Sequence, residues 1–398
     1  MSTDFALSED HLAIRDRARE AFAPFRERLG DFRERTLRGH EFPEEHWEAF
    51  AEEGFFATCI PEEHGGRPGG LLGTVLGLEA MTSEGVSLDL ATLTTMAAVA
   101  IGAGGSDELK QEFLPKIARG ELKVCVGATE DEAGLNTFRI KTSARQEGDR
   151  FIVNGQKIYT SGADQGDYIL LIARTTSAEE LKSSGLPKTM GLSLFMVDAN
   201  APGIRKTAMP VRGEAGLRTF VTEYEKVEVP AANLVGPKDQ GAMVLFQMVN
   251  PERVLFSAAA LGIGEHCLRV ACDFAKERVV FRDTPIGEYQ AIQHPLADAK
   301  VRLELLRLMT YKAAWCHDNG KDPMESGLFA NSAKYFAAEA AMKAVDSAIQ
   351  TLGGRGFNEE NHLIHYLEPA RLLKSAPVSQ EMVLNFVAEH ALGLPRSY

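Results

Sequence analysis

The sequence predicts an α+β chain in three consecutive parts: an N-terminal α-helical domain over 1–124, a middle β-barrel or sandwich domain over 125–235, and a C-terminal four-helix bundle over 236–398. Three observations carry this. Before residue 125 apolar residues recur near helical spacing. Between 125 and 235, β-branched and aromatic residues come in short runs. Beyond 240, four helical patterns follow one another with short breaks. At 398 residues the chain is long for one core, so two or three domains are expected.

Each part can be justified in order. "SEDHLAIRDRAREAFAPFRERL" opens at Ser8 with an acidic first turn and places Leu12, Ile14, Ala18, Phe22 and Phe25 near one helical face. "PEEHWEAFAEEGFF" starts a second helix. "SDELKQEFLPKIARGE" makes a later one, capped by Ser106 and stopped near Gly120, while "PEEHGGRPGG" reads as a turn-rich connection. In the middle part, "DRFIVNGQKIYTSG" predicts two strands turning at Asn154–Gly155. "DYILLIART", "LSLFMVDA" and "TFVTEYEKVEVP" predict further strands, and "TTSAEELKSSGLPKTMG" an exposed loop. The bundle helices are read as starting at Pro251, Tyr289, Ser326 and Ser379.

The composition is that of a soluble globular protein, 44% hydrophobic and 25% charged. A net charge of −13 argues against nucleic acid or an anionic membrane as partner, since both reward clustered Lys and Arg. The five cysteines are scattered, with no CxxC pair, so neither a disulfide framework nor a metal site is expected and a reducing, cytoplasmic compartment fits. The N-terminal stretch has no basic segment followed by an apolar one, which predicts no signal peptide, and "ATLTTMAAVAIGAGG" is too short to span a bilayer.

One stretch raises a chemical question. "NPERVLFSAAAL" reads as a helix start, with Asn250 at the N-cap and Pro251 in the first turn, and its apolar run predicts burial. Glu252 and Arg253 then sit in the first turn of a buried helix. Either the carboxylate is a structural group favoured by the helix dipole and neutralised by Arg253, or it is a catalytic base. The residues alone leave both readings open.

The order α, β, α-bundle, together with a set of short motifs, resembles the acyl-CoA dehydrogenase family over essentially the whole chain. The motifs are "ATEDEAG" at the entry to the β domain, "NGQKIYTSGA", "NPERVLFSAAALGIG", Arg278, Phe281 and Gln290 of "ERVVFRDTPIGEYQAIQHPLAD", and "QTLGGRGFNEE". The resemblance implies FAD as cofactor. It places Thr129, Tyr159 and Thr160 of the β domain at the flavin and Arg278 at the pyrophosphate. Phe281, Gln290, Gln350, Gly353, Gly354 and Gln380 complete the cofactor contacts. It also implies an acyl-CoA substrate met by Asn250, Arg253 and Ala376, and a homo-oligomer (a dimer of dimers) whose neighbouring subunit supplies Arg278 and the glycine segment; the electron acceptor stays open, an electron-transfer flavoprotein being compatible with the acidic surface.

Most members of that family carry the base near the C-terminus, before a glycine-threonine-serine. Here "KSAPVSQEM" puts Ala376 at that position, and alanine removes no proton. A subgroup, including isovaleryl-CoA and long-chain acyl-CoA dehydrogenases, carries it in a glutamate-arginine pair on the first bundle helix, and Glu252–Arg253 matches that pair. The resemblance therefore implies Glu252 as base, with the Ala376 N–H donating to the thioester carbonyl and Glu381 as the rival carboxylate. The chain departs from the family pattern at Leu135–Asn136, at Ile158, at Arg282 with one extra residue, at Glu368–Pro369 and at Pro377. These departures keep two alternatives in view: a flavoenzyme acting on a carrier-protein thioester or nitroalkane-like substrate, and a weakly catalytic subunit of a heteromeric dehydrogenase.

Overall fold

The computed structural model describes residues 7–397 apart from 188, 214, 215 and 282, so the departure at Arg282 lies outside the described residues. The N-terminal part holds α1 (Glu9–Phe22), α2 (Leu29–Arg33), α3 (Glu44–Glu52), α4 (Gly70–Ser83), α5 (Asp89–Gly104) and α6 (Asp107–Ala118). The Ser8 hydroxyl accepts the His11 N–H at 3.2 Å, as its N-cap position predicts, and Ser106 does the same for Leu109 at 3.2 Å. Helices α4 and α5 were not expected from the sequence. Every residue from Leu71 to Thr82 is buried, and a helix packed on all sides carries no amphipathic period to read.

The middle part is a mixed eight-stranded sheet. Its strands are β1 (Val124–Gly127), β2 (Ser143–Glu147), β3 (Arg150–Ser161), β4 (Tyr168–Arg174), β5 (Leu192–Asp198), β6 (Ile204–Ala208), β7 (Thr219–Pro230) and β8 (Leu234–Val235). They lie in the order β6-β7-β3-β2-β4-β5-β8, with β1 parallel to β4. The predicted turn at Asn154–Gly155 is corrected: β3 runs straight through it. The hairpin turn is one motif earlier, where Glu147 pairs with Arg150 across Gly148 (φ 64°) and Asp149. Asn154–Gly155 is instead a bulge against β7, with Gly155 at φ 147° and too close to Thr142 for a side chain. The predicted loop after β4 contains a short helix, α7 (Ala178–Ser183), closed by a reciprocal Ser177–Glu180 capping box.

The C-terminal part holds α8 (Gly241–Glu277), the hairpin β9 (Val279–Phe281) and β10 (Thr284–Pro285), then α9 (Gln290–Asp318), α10 (Pro323–Leu352), α11 (Leu367–Leu372) and α12 (Gln380–His390). The expected helix start at Asn250 is corrected: α8 begins at Gly241 and carries Pro251 in its interior. Proline removes one backbone donor there, but α8 is buried against α4, α5, α9 and α10, and that packing carries the helix past the missing bond. By length and hydropathy α8 would pass as a membrane span; 78% of its apolar window is buried inside the protein, which identifies it as a core helix.

Two close contacts fix α4 against its neighbours. A Cβ built at Gly262 of α8 would lie 1.9 Å from the Thr82 hydroxyl and 2.6 Å from the Glu79 carbonyl, so the helices touch backbone to backbone. Gly262→Ala is expected to destabilise the protein by about 2 kcal/mol through overpacking, read as a lower midpoint in denaturant unfolding. Near it, Glu79 accepts from Arg307 at 3.0 Å and from the Tyr311 hydroxyl at 2.6 Å. Arg307 also reaches Glu265 and Glu304, each at 2.5 Å. Burial works against its charge, but the three carboxylates, Glu79 foremost, outweigh that and hold the guanidinium in the charged form.

Candidate active site

Glu252 lies eleven residues into α8, so the helix-start dipole that would favour a carboxylate does not explain it. Burial pushes its carboxyl up to about 7, against the opposing pull of Arg253 and Lys334. Arg253 donates through Nη1 to the Asn250 side chain at 2.7 Å, while its Nε is buried without a hydrogen-bond partner among the described residues. Asn250, Glu252 and Arg253 are thus brought together on one stretch of helix, as the sequence placed them.

Facing them is α10. The Asn250 amide lies 3.7 Å from where a Cβ on Gly327 would stand, and Asn331 and Lys334 follow one and two turns on, both buried. The Lys334 ammonium donates to the Val378 carbonyl in the connection between α11 and α12. Gln380 donates to the Tyr335 carbonyl at 3.1 Å and to Glu339 at 3.3 Å, and Lys374 pairs with Glu339 at 2.7 Å. Sequence reading missed Lys334. Its signal was a lone cation among Ala330, Ala333, Ala337 and Ala338, all buried.

The Ala376 N–H donates to the Leu372 carbonyl at 3.0 Å, so in this structure it is committed to the backbone turn and is not a free donor for a thioester. Glu381, the rival carboxylate, is exposed; its own backbone N–H and the Ser379 hydroxyl at the start of α12 hold it below the usual carboxylate range.

On the β domain, the Thr129 carbonyl accepts the Ile158 N–H at 2.9 Å, which sets "ATE" beside the end of β3. Lys157, fully buried, donates to Glu130 at 2.9 Å and to the Ala128 carbonyl at 3.1 Å. Desolvation pulls its ammonium down to about 8 and Glu130 opposes this. The β3–β7 register slips between Lys157 and Thr160, and there Tyr159 adopts φ 56° with its side chain 55% exposed. Thr160 points the other way: its hydroxyl is buried, 3.0 Å from that of Thr222. Leu135, which stands where the family carries a hydroxyl, is exposed.

A separate cluster lies at the far end of α8. Arg278 caps that helix, exposed Phe281 follows on β9, and the Tyr289 hydroxyl donates to the Phe281 carbonyl at 3.3 Å just before Gln290. The end of α10 closes on it, with the Arg355 guanidinium 5.7 Å from the Phe274 ring. Gln350, Gly353 (φ 60°) and Gly354 are exposed there, and a Cβ on either glycine would meet nothing within 4 Å. Arg278 makes no side-chain hydrogen bond or ion pair among the described residues. An unpaired guanidinium, an exposed aromatic face and open glycine backbone fit the pyrophosphate and adenine half of FAD. Twenty-six residues of helix separate Glu252 from Arg278, about 39 Å at 1.5 Å per residue, so these two clusters serve different places.

No group of three or more His, Cys, Asp or Glu that would hold a metal occurs among the described residues.

Comparison with known proteins agrees with this layout. Family models for the acyl-CoA dehydrogenase N-terminal, middle and C-terminal domains match residues 8–121, 125–227 and 239–392. Acyl-CoA dehydrogenase FadE12 of Mycobacterium tuberculosis is 38% identical over 398 residues, covering 100% of this chain and 99% of its own. Among solved structures, a glutaryl-coenzyme A dehydrogenase in complex with glutaryl-CoA superposes with a TM-score of 0.87 at 27% identity, covering 99% of this chain and 98% of that one. An FAD complex of PigA superposes equally, at 0.87 and 25% identity, covering 98% and 100%. With all three family domains matched in order, and a full-length relative above 30% identity, the chain belongs to the acyl-CoA dehydrogenase family and is an oxidoreductase of that class.

Proposed function

We propose that the protein catalyses α,β-dehydrogenation of an acyl-CoA thioester with FAD as cofactor and Glu252 as base. The observation that carries this reading is the Glu252 carboxyl, half-buried and desolvated enough for its proton affinity to rise toward neutrality, with Arg253 and then Lys334 opposing that rise. The α C–H bond breaks as the Glu252 O–H bond forms, and the electron pair passes toward the thioester carbonyl. FAD, when bound, supplies the acceptor for the β-hydride. Tyr159 offers an exposed aromatic face and Thr129 a neighbouring wall on the β domain; Arg278, Gln350, Gly353 and Gly354 would hold the phosphate end.

Because that phosphate cluster lies about 39 Å from Glu252 along one rigid helix, each site takes its phosphate contacts from a second copy. Val301, Leu305 and Leu308 form an exposed apolar stripe at i, i+4 and i+7 on α9, a face suited to a homo-oligomer. The five free thiols fit a reducing, cytoplasmic setting.

The test is a visible spectrum of the purified protein, repeated anaerobically after adding short, branched and long acyl-CoA thioesters. Bleaching of bound flavin by one of them supports the reading. A flavin that no thioester reduces moves the substrate to another class, and a chain that binds no FAD rejects the reading.

The pH dependence comes from the raised carboxyl. The base works only when deprotonated, so kcat/KM is expected to rise with pH and reach half its plateau near pH 7. A limb near the solvated carboxylate value, about 4.3, would show that water reaches Glu252 in the working enzyme.

A further inference from the structure

A cavity of about 890 Å³ lies between α2 and the residues after it, the segment 208–219 that joins β6 to β7, and the segment 359–369 that leads into α11. None of the residues of the Glu252 and Arg278 clusters lines it. Its wall carries Arg33, only 3% exposed, which donates through Nη2 to the Gly85 carbonyl at 2.6 Å and lies 4.3 Å from the centre of the Tyr366 ring. The Tyr366 hydroxyl donates to the same carbonyl at 2.9 Å, so the two side chains together hold the turn between α4 and α5. That structural task needs one donor and no charge. The Arg33 Nε is buried without a hydrogen-bond partner, and Arg33 makes no ion pair among the described residues. A buried guanidinium without a counter-ion keeps most of its desolvation penalty, and stacking on one aromatic ring offsets only part of it.

The rest of the wall does not supply the missing anion. The other two arginines that line the cavity are already paired, Arg212 with Glu368 at 2.9 Å and Arg218 with Asp164 at 2.5 Å. Glu34 and Glu359, the remaining carboxylates of the wall, are exposed to solvent. Burial, and after it the Arg33 charge, pulls His362 down to about 4 and His365 below its usual value, so both imidazoles are neutral at pH 7. Leu37, Leu217 and Ile263 add apolar surface. The cavity thus presents one buried positive charge, neutral imidazoles and a hydrocarbon lining, in a volume typical of small-molecule sites.

We propose that this cavity binds a monocarboxylate with an apolar body, its carboxylate on the Arg33 guanidinium and its hydrocarbon against Leu217 and Ile263. A single guanidinium matches a carboxylate in charge and in planar shape, whereas a phosphate brings nearly two charges and finds no second buried cation here. The site is separate from the dehydrogenation chemistry and does not rest on Glu252 being the base.

Calorimetric titration of the purified protein with octanoate tests this, with octanamide and inorganic phosphate as controls. Octanoate is expected to bind, and each control to bind at least about tenfold more weakly, the effect of losing a charge-assisted hydrogen bond or the apolar contact. Arg33→Gln keeps a donor for the Gly85 carbonyl and removes the charge; it is expected to weaken octanoate about tenfold or more. Val211→Asp changes an exposed residue at the cavity wall and leaves the core untouched; the added negative charge is expected to weaken octanoate several-fold. Octanoate that fails to bind, that binds no better than octanamide or phosphate, or that binds Arg33→Gln as tightly as the wild type overturns the proposal. Should Arg33→Gln fail to fold, Val211→Asp decides, and an unchanged octanoate affinity there overturns it.

Discussion

Glu252→Gln is expected to lower kcat by about three orders of magnitude, since a positioned general base contributes roughly 10²–10⁴. The amide has the shape of the acid and keeps the helix intact, so bound flavin and ligand affinity should persist; the visible spectrum and a thioester-analogue titration check both. The distinction matters because Glu252 occupies the interior of α8, where a mutation could act through packing. A variant that folds, binds FAD and fails to be reduced separates chemistry from structure. Retained turnover would send the search for the base elsewhere, and exposed Glu381, held as a solvated anion at the start of α12, is poorly placed to inherit the role.

The largest loss of stability is expected from Arg307→Met. The arginine lies between Glu79, Glu265 and Glu304, and its removal leaves three carboxylates facing one another, Glu79 among them buried. Breaking a buried pair from one side costs about 3–5 kcal/mol, because the remaining charge keeps its desolvation penalty without its compensation. Glu79→Gln in the same background should recover part of that loss. Denaturant unfolding of the two single variants and the double closes the cycle. If the double variant is less stable than Arg307→Met, Glu79 is held by Tyr311 and the backbone rather than by the ion pair.

What could be read from the sequence depends on which forces act locally. Ser8 and Ser106 announced their helices because an N-cap is a contact between residues three apart. Helices α4 and α5 stayed hidden because their neighbours surround them and erase any polar face. Asn154–Gly155 has the chemistry of a turn, but pairing with β7 on one side and β2 on the other carries the strand through and turns the glycine into a bulge. The start of α8 was misplaced for a related reason: Pro251 is a strong local signal, overridden by packing of the helix against α4, α5, α9 and α10.

The site divides in the same way. Glu252 and Arg253 were legible as a pair of charges in an apolar run. The direction of Thr160 was not, since a one-residue register slip beside Tyr159 sends its hydroxyl toward Thr222. Nor was Lys334, whose meaning depends on a carbonyl 44 residues away. The commitment of the Ala376 N–H to Leu372 could be seen only once the turn was built.

The unbroken length of α8 has a consequence for how this protein can change over time. Glu252 and Arg278 stand at fixed phase on one rod, and each residue added or removed between them would turn one end about 100° relative to the other and shift it about 1.5 Å. A single insertion would aim the Glu252 carboxyl and the Arg278 guanidinium in unrelated directions; two full turns would restore phase but move them about 11 Å further apart. The helix therefore acts as a ruler. Between these two residues, drift by substitution is open to the chain, and drift in length is closed.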